Sequence, residues 1–172
     1  MVTHAQTTQK VLNKITKTLE VLAKNDKVCQ LIQTIPGLGT ICSCRLRATI
    51  GDIKRFKNPK DFPAYYGLVP RSIATGHNEK KGKITHRGDR TMRSLMVQGA
   101  GCVIRLATCG KLKSKQLTKW ILKKQKEKMP WGKLVCAVAA KLLRIVRAIL
   151  ISSKPYNPKI AGVAKCSLSK GS

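Results

Sequence analysis

Apolar residues recur at three- and four-residue spacings along much of this chain, the signature of helices that bury one face. Val11, Leu12, Ile15, Leu19 and Leu22 mark an amphipathic helix over about 8–23, with lysines on its wet side. Val28, Leu31 and Ile32 mark a second, short helix over about 26–34, which Asp26 is placed to cap and which stops at Pro36. Residues 40 to about 50 are again apolar and helix-compatible, with Gly51 placed to end them. The segment Ile35-Pro36-Gly37-Leu38-Gly39 lies between these two, so the pattern predicts two helices joined by a tight glycine-rich turn. Further on, Met92, Leu95, Met96, Val103 and Leu106 give one buried face from Asp89, a candidate cap, to about Thr108. A lysine-rich stretch over 111–128 surrounds Trp120, Ile121 and Leu122, and a largely apolar helix runs from Trp131 to about Ile151.

Between these helices the periodicity breaks. Asn58-Pro59, Phe62-Pro63 and Gly67-Leu68-Val69-Pro70 punctuate residues 52–70, leaving room for a short helix around Lys60 to Tyr66. Residues 71–88 are polar, basic and aperiodic, which predicts an exposed loop or hairpin and the best place for function. The expected fold is therefore mainly α: a helix-hairpin-helix core with additional C-terminal helices and an exposed basic loop. The expected organisation is a leading helix over 1–25, a domain over 26–156 with the helix-hairpin-helix at 26–50, and a disordered tail over 157–172.

Charge changes this picture more than any motif. Thirty-five Lys and Arg face seven Asp and Glu, a formal net charge of +28, so the folded body repels itself unless a polyanion screens it. Hydrophobic residues still make up 42%, too many for a disordered basic tail. Nucleic acid is the expected partner. Seven scattered cysteines form no CxxC pair and only three histidines accompany them, so no zinc site is expected. Cys102, Cys109 and Cys136 lie in apolar stretches and read as small hydrophobes, in keeping with a reducing cytoplasm. The polar N-terminus is no signal peptide, and Lys141, Arg144 and Arg147 interrupt the longest apolar run, so no membrane partner is expected.

The glycine-rich turn carries candidate chemistry. Gly37 and Gly39 let the backbone turn tightly and approach a phosphate, and amides at the start of the next helix, capped by Thr40, point outward as an anion site. An ordinary helix-helix turn is the plain alternative. Around the basic loop, Arg71, Lys80, Lys81, Lys83, His86, Arg87, Arg90 and Arg93 are candidates to clamp phosphates. Tyr65 and Tyr66 are placed to stack on bases or, more simply, to fill core beside an apolar turn. Asp52, Asp61 and Asp89 sit at expected caps or turns, and no metal-ligand set is seen.

The run Ile35-Pro36-Gly37-Leu38-Gly39, then Gly51-Asp52-Ile53 with Arg55-Phe56, then Tyr66-Gly67-Leu68-Val69-Pro70, then Lys83-Ile84-Thr85-His86-Arg87-Gly88-Asp89 and Arg93 resembles the C-terminal domain of bridge-RNA-guided insertion-sequence transposases. The similarity extends through Ala140-Lys141-Leu142 to Pro155-Tyr156. It implies a DNA recombinase in which an RNase-H-like domain supplies four carboxylates for divalent metal, while this domain supplies a serine nucleophile in the loop after the Gly-Leu-x-Pro segment. Aligned without gaps, that serine falls on Thr75, and Ser72 is off register. Arg87 and Arg93 match the family pattern. No cofactor is expected in this chain, because the metal belongs to the carboxylate domain. Met1 lies only a helix or two before the hairpin, so the expectation is a DNA-binding remnant, with DNA and a guide RNA as partners and homo-oligomerisation open. The alternatives are a split transposase completed in trans by a separate carboxylate domain, with Thr75 as nucleophile, and, more distantly, a cationic membrane-active protein.

Overall fold

A computed structural model describes residues 2–75, 78–85 and 87–159. Seven α-helices dominate the described residues: α1 Val2–Asn25, α2 Lys27–Gln33, α3 Thr40–Ile50, α4 Asp61–Tyr65, α5 Arg90–Thr108, α6 Lys115–Lys126 and α7 Trp131–Ser152. The fold is mainly α, as the periodicity predicts. A single 3-10 turn, Ile53–Arg55, and one antiparallel hairpin, β1 Pro70–Thr75 with β2 Asn78–Ile84, complete it.

Helix starts follow local chemistry. The Asp26 carboxylate accepts from the Val28 amide at 2.7 Å, Asp89 from Thr91 and Met92 at 2.8 and 3.1 Å, and Asp52 from Lys54 at 2.9 Å, each satisfying amides that have no partner within the helix. Ser114 does the same for α6 through the Leu117 amide. At α3 the expectation needs correction: Gly39 occupies the cap position without a side-chain bond, and Thr40 is already the first helical residue.

The core is built on α7. Leu134, Val138, Leu142, Leu143 and Val146 are buried along it and pack with Met92, Met96, Ala100 and Val103 of α5 and with Ile32 of α2 in one cluster. The side chains of Phe62 and Tyr66, around α4, and of Leu117 and Ile121, on α6, belong to the same cluster. On the order of 25 cal/mol per Å² of apolar surface removed from water, this continuous cluster is the main stabilising term.

Three sequence expectations fail in instructive ways. The apolar side of α1 is largely uncovered among the described residues: Val11, Leu12, Ile15 and Leu22 remain about half exposed, Leu19 is part-buried, and only Ala23 is buried, where the helix end meets α2 and α3. Cys102 and Cys109 are exposed rather than core, because they fall on the solvent side of α5 and at its end. Of the expected tail over 157–172, residues 160–172 lie outside the described residues, and the described part, 157–159, is held in place. The Ser114 hydroxyl donates to the Pro158 carbonyl, the Gln116 amide to that of Lys159, and the Tyr156 amide to Thr34 Oγ1, so the segment after α7 straps back across α2 and α6.

The glycine-rich turn is where α2 and α3 meet α5. Gly37 has φ +83°, and a Cβ there would lie 2.6 Å from both the Gly99 carbonyl oxygen and Val103 Cγ2. Reciprocally, a Cβ on Gly99 would collide with the Gly37 carbonyl. Backbone touches backbone here. A Cβ on Gly39 or Gly101, by contrast, would meet nothing within 4 Å.

These contacts set competing effects against each other. Helix propensity alone favours alanine over glycine by roughly 1 kcal/mol within α5, yet at Gly99 the clash wins. In urea titrations Gly101→Ala should stabilise by up to about 1 kcal/mol, while Gly99→Ala destabilises. Gly37→Ala adds left-handed strain to its clash and should cost about 3 kcal/mol. Equal effects at 99 and 101 would refute the close approach.

Candidate nucleic-acid interface

The hairpin grows from a second pair of backbone crossings. Gly67, φ +69°, lies against the Arg87 backbone, and Gly88, φ +89°, lies against the Tyr65 carbonyl; a Cβ at either would overlap main-chain atoms. The Leu68 amide bonds the Pro63 carbonyl at 3.0 Å and the Thr85 amide bonds Val69 at 3.2 Å. The root of the hairpin is thus pinned to the end of α4 and the start of α5. From it, β1 and β2 pair through Ser72 with Lys81, Ile73 with Lys80 and Thr75 with Asn78, with an irregularity between Pro70 and Ser72.

Thr75 closes β1. Its side chain, with those of Arg71, Lys80, Lys81 and Lys83, lies outside the described residues, as does His86 altogether. Of the remaining loop cations, Arg87 and Arg90 are exposed. Arg93 is engaged instead: its guanidinium donates to the Tyr66 carbonyl at 3.2 Å and the Arg87 carbonyl at 3.3 Å. It ties the two crossing strands of backbone together.

Acidic residues at the root are likewise occupied. Asp89 caps α5 and receives the Arg45 guanidinium at 2.8 Å. Burial pushes its pKa up, but the Arg45 hydrogen bond and the Met92 and Thr91 amides outweigh this and hold it below the usual aspartate value. Asp26 is held low chiefly by its hydrogen bond to Arg47, 2.8 Å away. Asp61 accepts from the Asn58 amide. Among the described residues no three of His, Cys, Asp and Glu gather where a metal ion would need them, and the carboxylates that cap helices do not fit a two-metal site.

The aromatic residues form an edge-to-face chain: Phe56 with Phe62 at 5.0 Å, Phe62 with Tyr66 at 5.5 Å and Tyr65 with Tyr66 at 5.1 Å. Tyr66 is fully buried with its hydroxyl 2.8 Å from that of Thr49, and burial raises its pKa, so it is core. Tyr65 is 45% exposed, and Arg55 stacks over it at 4.8 Å and over Phe56 at 4.6 Å. That stacked guanidinium is a surface the periodicity did not signal.

The expected site residues therefore fall into two places. Gly39 and Thr40 stand at the open N-terminus of α3. Arg87, Arg90 and Arg93 stand at the hairpin root, beside Thr49 at the other end of α3, about 14 Å away at 1.5 Å rise per residue. Gly37 is explained by its contact with Gly99, whereas Gly39 keeps open space in front of its backbone.

Two tests separate structure from surface. Arg93→Ala, leaving two carbonyls without a charged donor, should cost about 2 kcal/mol of stability, while Arg90→Ala should leave the melting temperature unchanged; the same melting temperature for both would refute the clamp. Carboxylates with depressed folded pKa values stabilise above their unfolded pKa, near 3.8 for Asp26 and Asp89, and lose that contribution as pH falls through the folded value. Thermal melts should hold level from neutrality to about pH 5 and decline below pH 4, less steeply in Asp89→Asn.

Comparison with known proteins places these features in context. A profile described as the transposase IS116/IS110/IS902 family matches residues 29–115, just over half of the chain, running from within α2 to the first residue of α6. A "Probable family 20 transposase" of Pseudomonas aeruginosa is 29% identical over 153 residues, 89% of this chain and 44% of that protein. The "Transposase for insertion sequence element IS1111A" of Coxiella burnetii is 32% identical, covering 80% of this chain and 37% of that one. The "Transposase for insertion sequence element IS1328" of Yersinia enterocolitica is 34% identical, covering 78% and 39%. The chain spans less than half the length of each of these relatives.

Proposed function

Given that the chain belongs to the IS116/IS110/IS902 transposase family, we propose that it is the DNA-binding C-terminal part of an insertion-sequence transposase, which grips DNA through its backbone rather than its sequence. The observation that carries this is the arrangement at the hairpin root. Exposed Arg87 and Arg90 flank a rigid crossing, while Asp89 beside them is taken up by its cap and by Arg45, and among the described residues neither arginine is in an ion pair. Cations left without carboxylate partners suit phosphate, and contacts of that kind fix position without reading bases. The open amides at Gly39 and Thr40 add a second phosphate contact on the other end of α3. A folded guide RNA presents the same phosphate chemistry.

The matched relatives are more than twice as long as the segment they share with this chain, and a second reading puts the Thr75 hydroxyl in the attacking position, acting together with a carboxylate-bearing domain that holds divalent metal. The chain alone then binds and does not cut. Supercoiled DNA incubated with the chain and magnesium would stay unnicked; a covalent adduct lost in Thr75→Ala would overturn the binding-only reading.

Affinity for duplex DNA should fall steeply with salt as counterions are released, by about tenfold or more between 50 and 200 mM. Arg90→Ala should lower the slope by roughly one phosphate contact, near 0.9 in log-log terms. Binding isotherms across a salt series decide it, and a flat dependence defeats the proposal.

A further inference from the structure

On the side of the molecule where α7 is not covered by α5, a broad open groove of about 2400 Å³ runs between the hairpin root, α6 and the strap after α7. Its floor is α7, and small side chains, Ala137, Ala140 and Ala148, leave the helix surface accessible along its length. At one end Pro70, Gly82 and Ile84 bring the groove to the foot of β1 and β2; Trp120 and Tyr156 supply aromatic wall.

The rim is basic. Lys60, Lys133, Arg144 and Lys154 line it and are exposed, and none of them is in an ion pair among the described residues. Two other cations are already spoken for: Lys141 lies 4.3 Å over the Trp120 ring, its pKa lowered by burial and then by Arg144, and Arg147 donates to the Phe56 and Lys57 carbonyls at 2.9 and 2.7 Å. The one acid among the described lining residues, Asp61, accepts from the Asn58 amide. The Tyr156 hydroxyl is shut off from solvent without a hydrogen-bond partner, which is costly unless something supplies one.

An apolar floor between cationic rims has a particular complement. A duplex hides the faces of its bases and gains nothing from such a floor, whereas a single strand offers flat apolar bases inward and phosphates outward. We propose that this groove binds a single strand of nucleic acid, with bases laid against α7, phosphates on the Lys60, Lys133, Arg144 and Lys154 rims, and one end delivered to the foot of the hairpin. The proposal rests on the nucleic-acid function above and adds strand state and place to it.

Both tryptophans of the chain report on this groove: Trp120 lines it, and Trp131, 56% exposed, stands between the lining residues Pro130 and Gly132. Titrating the full chain with a short oligothymidylate should quench tryptophan emission, and the equivalent duplex should bind with far less quenching. Ala148→Phe fills the floor without altering charge. It should weaken oligothymidylate binding about tenfold, or ~1.4 kcal/mol, at unchanged melting temperature and unchanged duplex affinity. If that variant melts early, Ala137→Leu on the same floor must show the same selective loss. Undiminished strand binding by the filled groove overturns the proposal, as does displacement of the strand by an equally charged oligoglutamate helix, which would make the groove a protein-docking site. Failure of the unaltered chain to bind either duplex or strand would instead count against the DNA-binding function itself.

Discussion

The fold depends on main chain meeting main chain with nothing between. Gly37 against Gly99 sets how closely the α2–α3 turn approaches α5, and Gly67 with Gly88 sets where the hairpin leaves the body. Helices separated by side chains normally keep interaxial distances of about 8–10 Å; at a glycine contact the backbones come closer and the packing loses its slack. The placement of Arg93 and Arg45 follows from these contacts. Arg93 can reach two carbonyls only because Gly67 and Gly88 bring those segments together, and Arg45 can reach Asp89 only because α3 is held near the start of α5.

The helices were legible because burial imposes its period on the sequence. Met92, Met96 and Val103 announce α5, and Asp26 and Asp89 announce the starts of α2 and α5 through an interaction that spans only two or three residues. What was not legible is long-range. Nothing local distinguishes Gly37, pressed on a carbonyl 62 positions away, from Gly39, which faces open space. Nor does periodicity tell a core face from an uncovered one, so α1 shows a clear apolar side that the described residues leave half exposed. Arg93 reads as one more loop cation until its two carbonyl partners are seen.

The candidate site was legible as a region and not as an arrangement. Composition pointed to polyanion binding, and the aperiodic stretch after Pro70 pointed to the hairpin. The division between the open start of α3 and the hairpin root, and the groove along α7, arise from tertiary packing. The groove has a faint sequence trace, since Ala137, Ala140 and Ala148 repeat at helical spacing, but small residues on a helix equally describe close packing against a neighbour.

The way the carboxylates are used has a consequence for release. Asp26, Asp52, Asp61, Asp89 and Glu127, five of the seven acids in the chain, are tied into caps, turns or ion pairs. The remaining charge is carried by thirty-five lysines and arginines, with only three histidines beside them. In the proposed complex with nucleic acid, release would then come by exchange, as a competing phosphate backbone takes over the contacts one cation at a time.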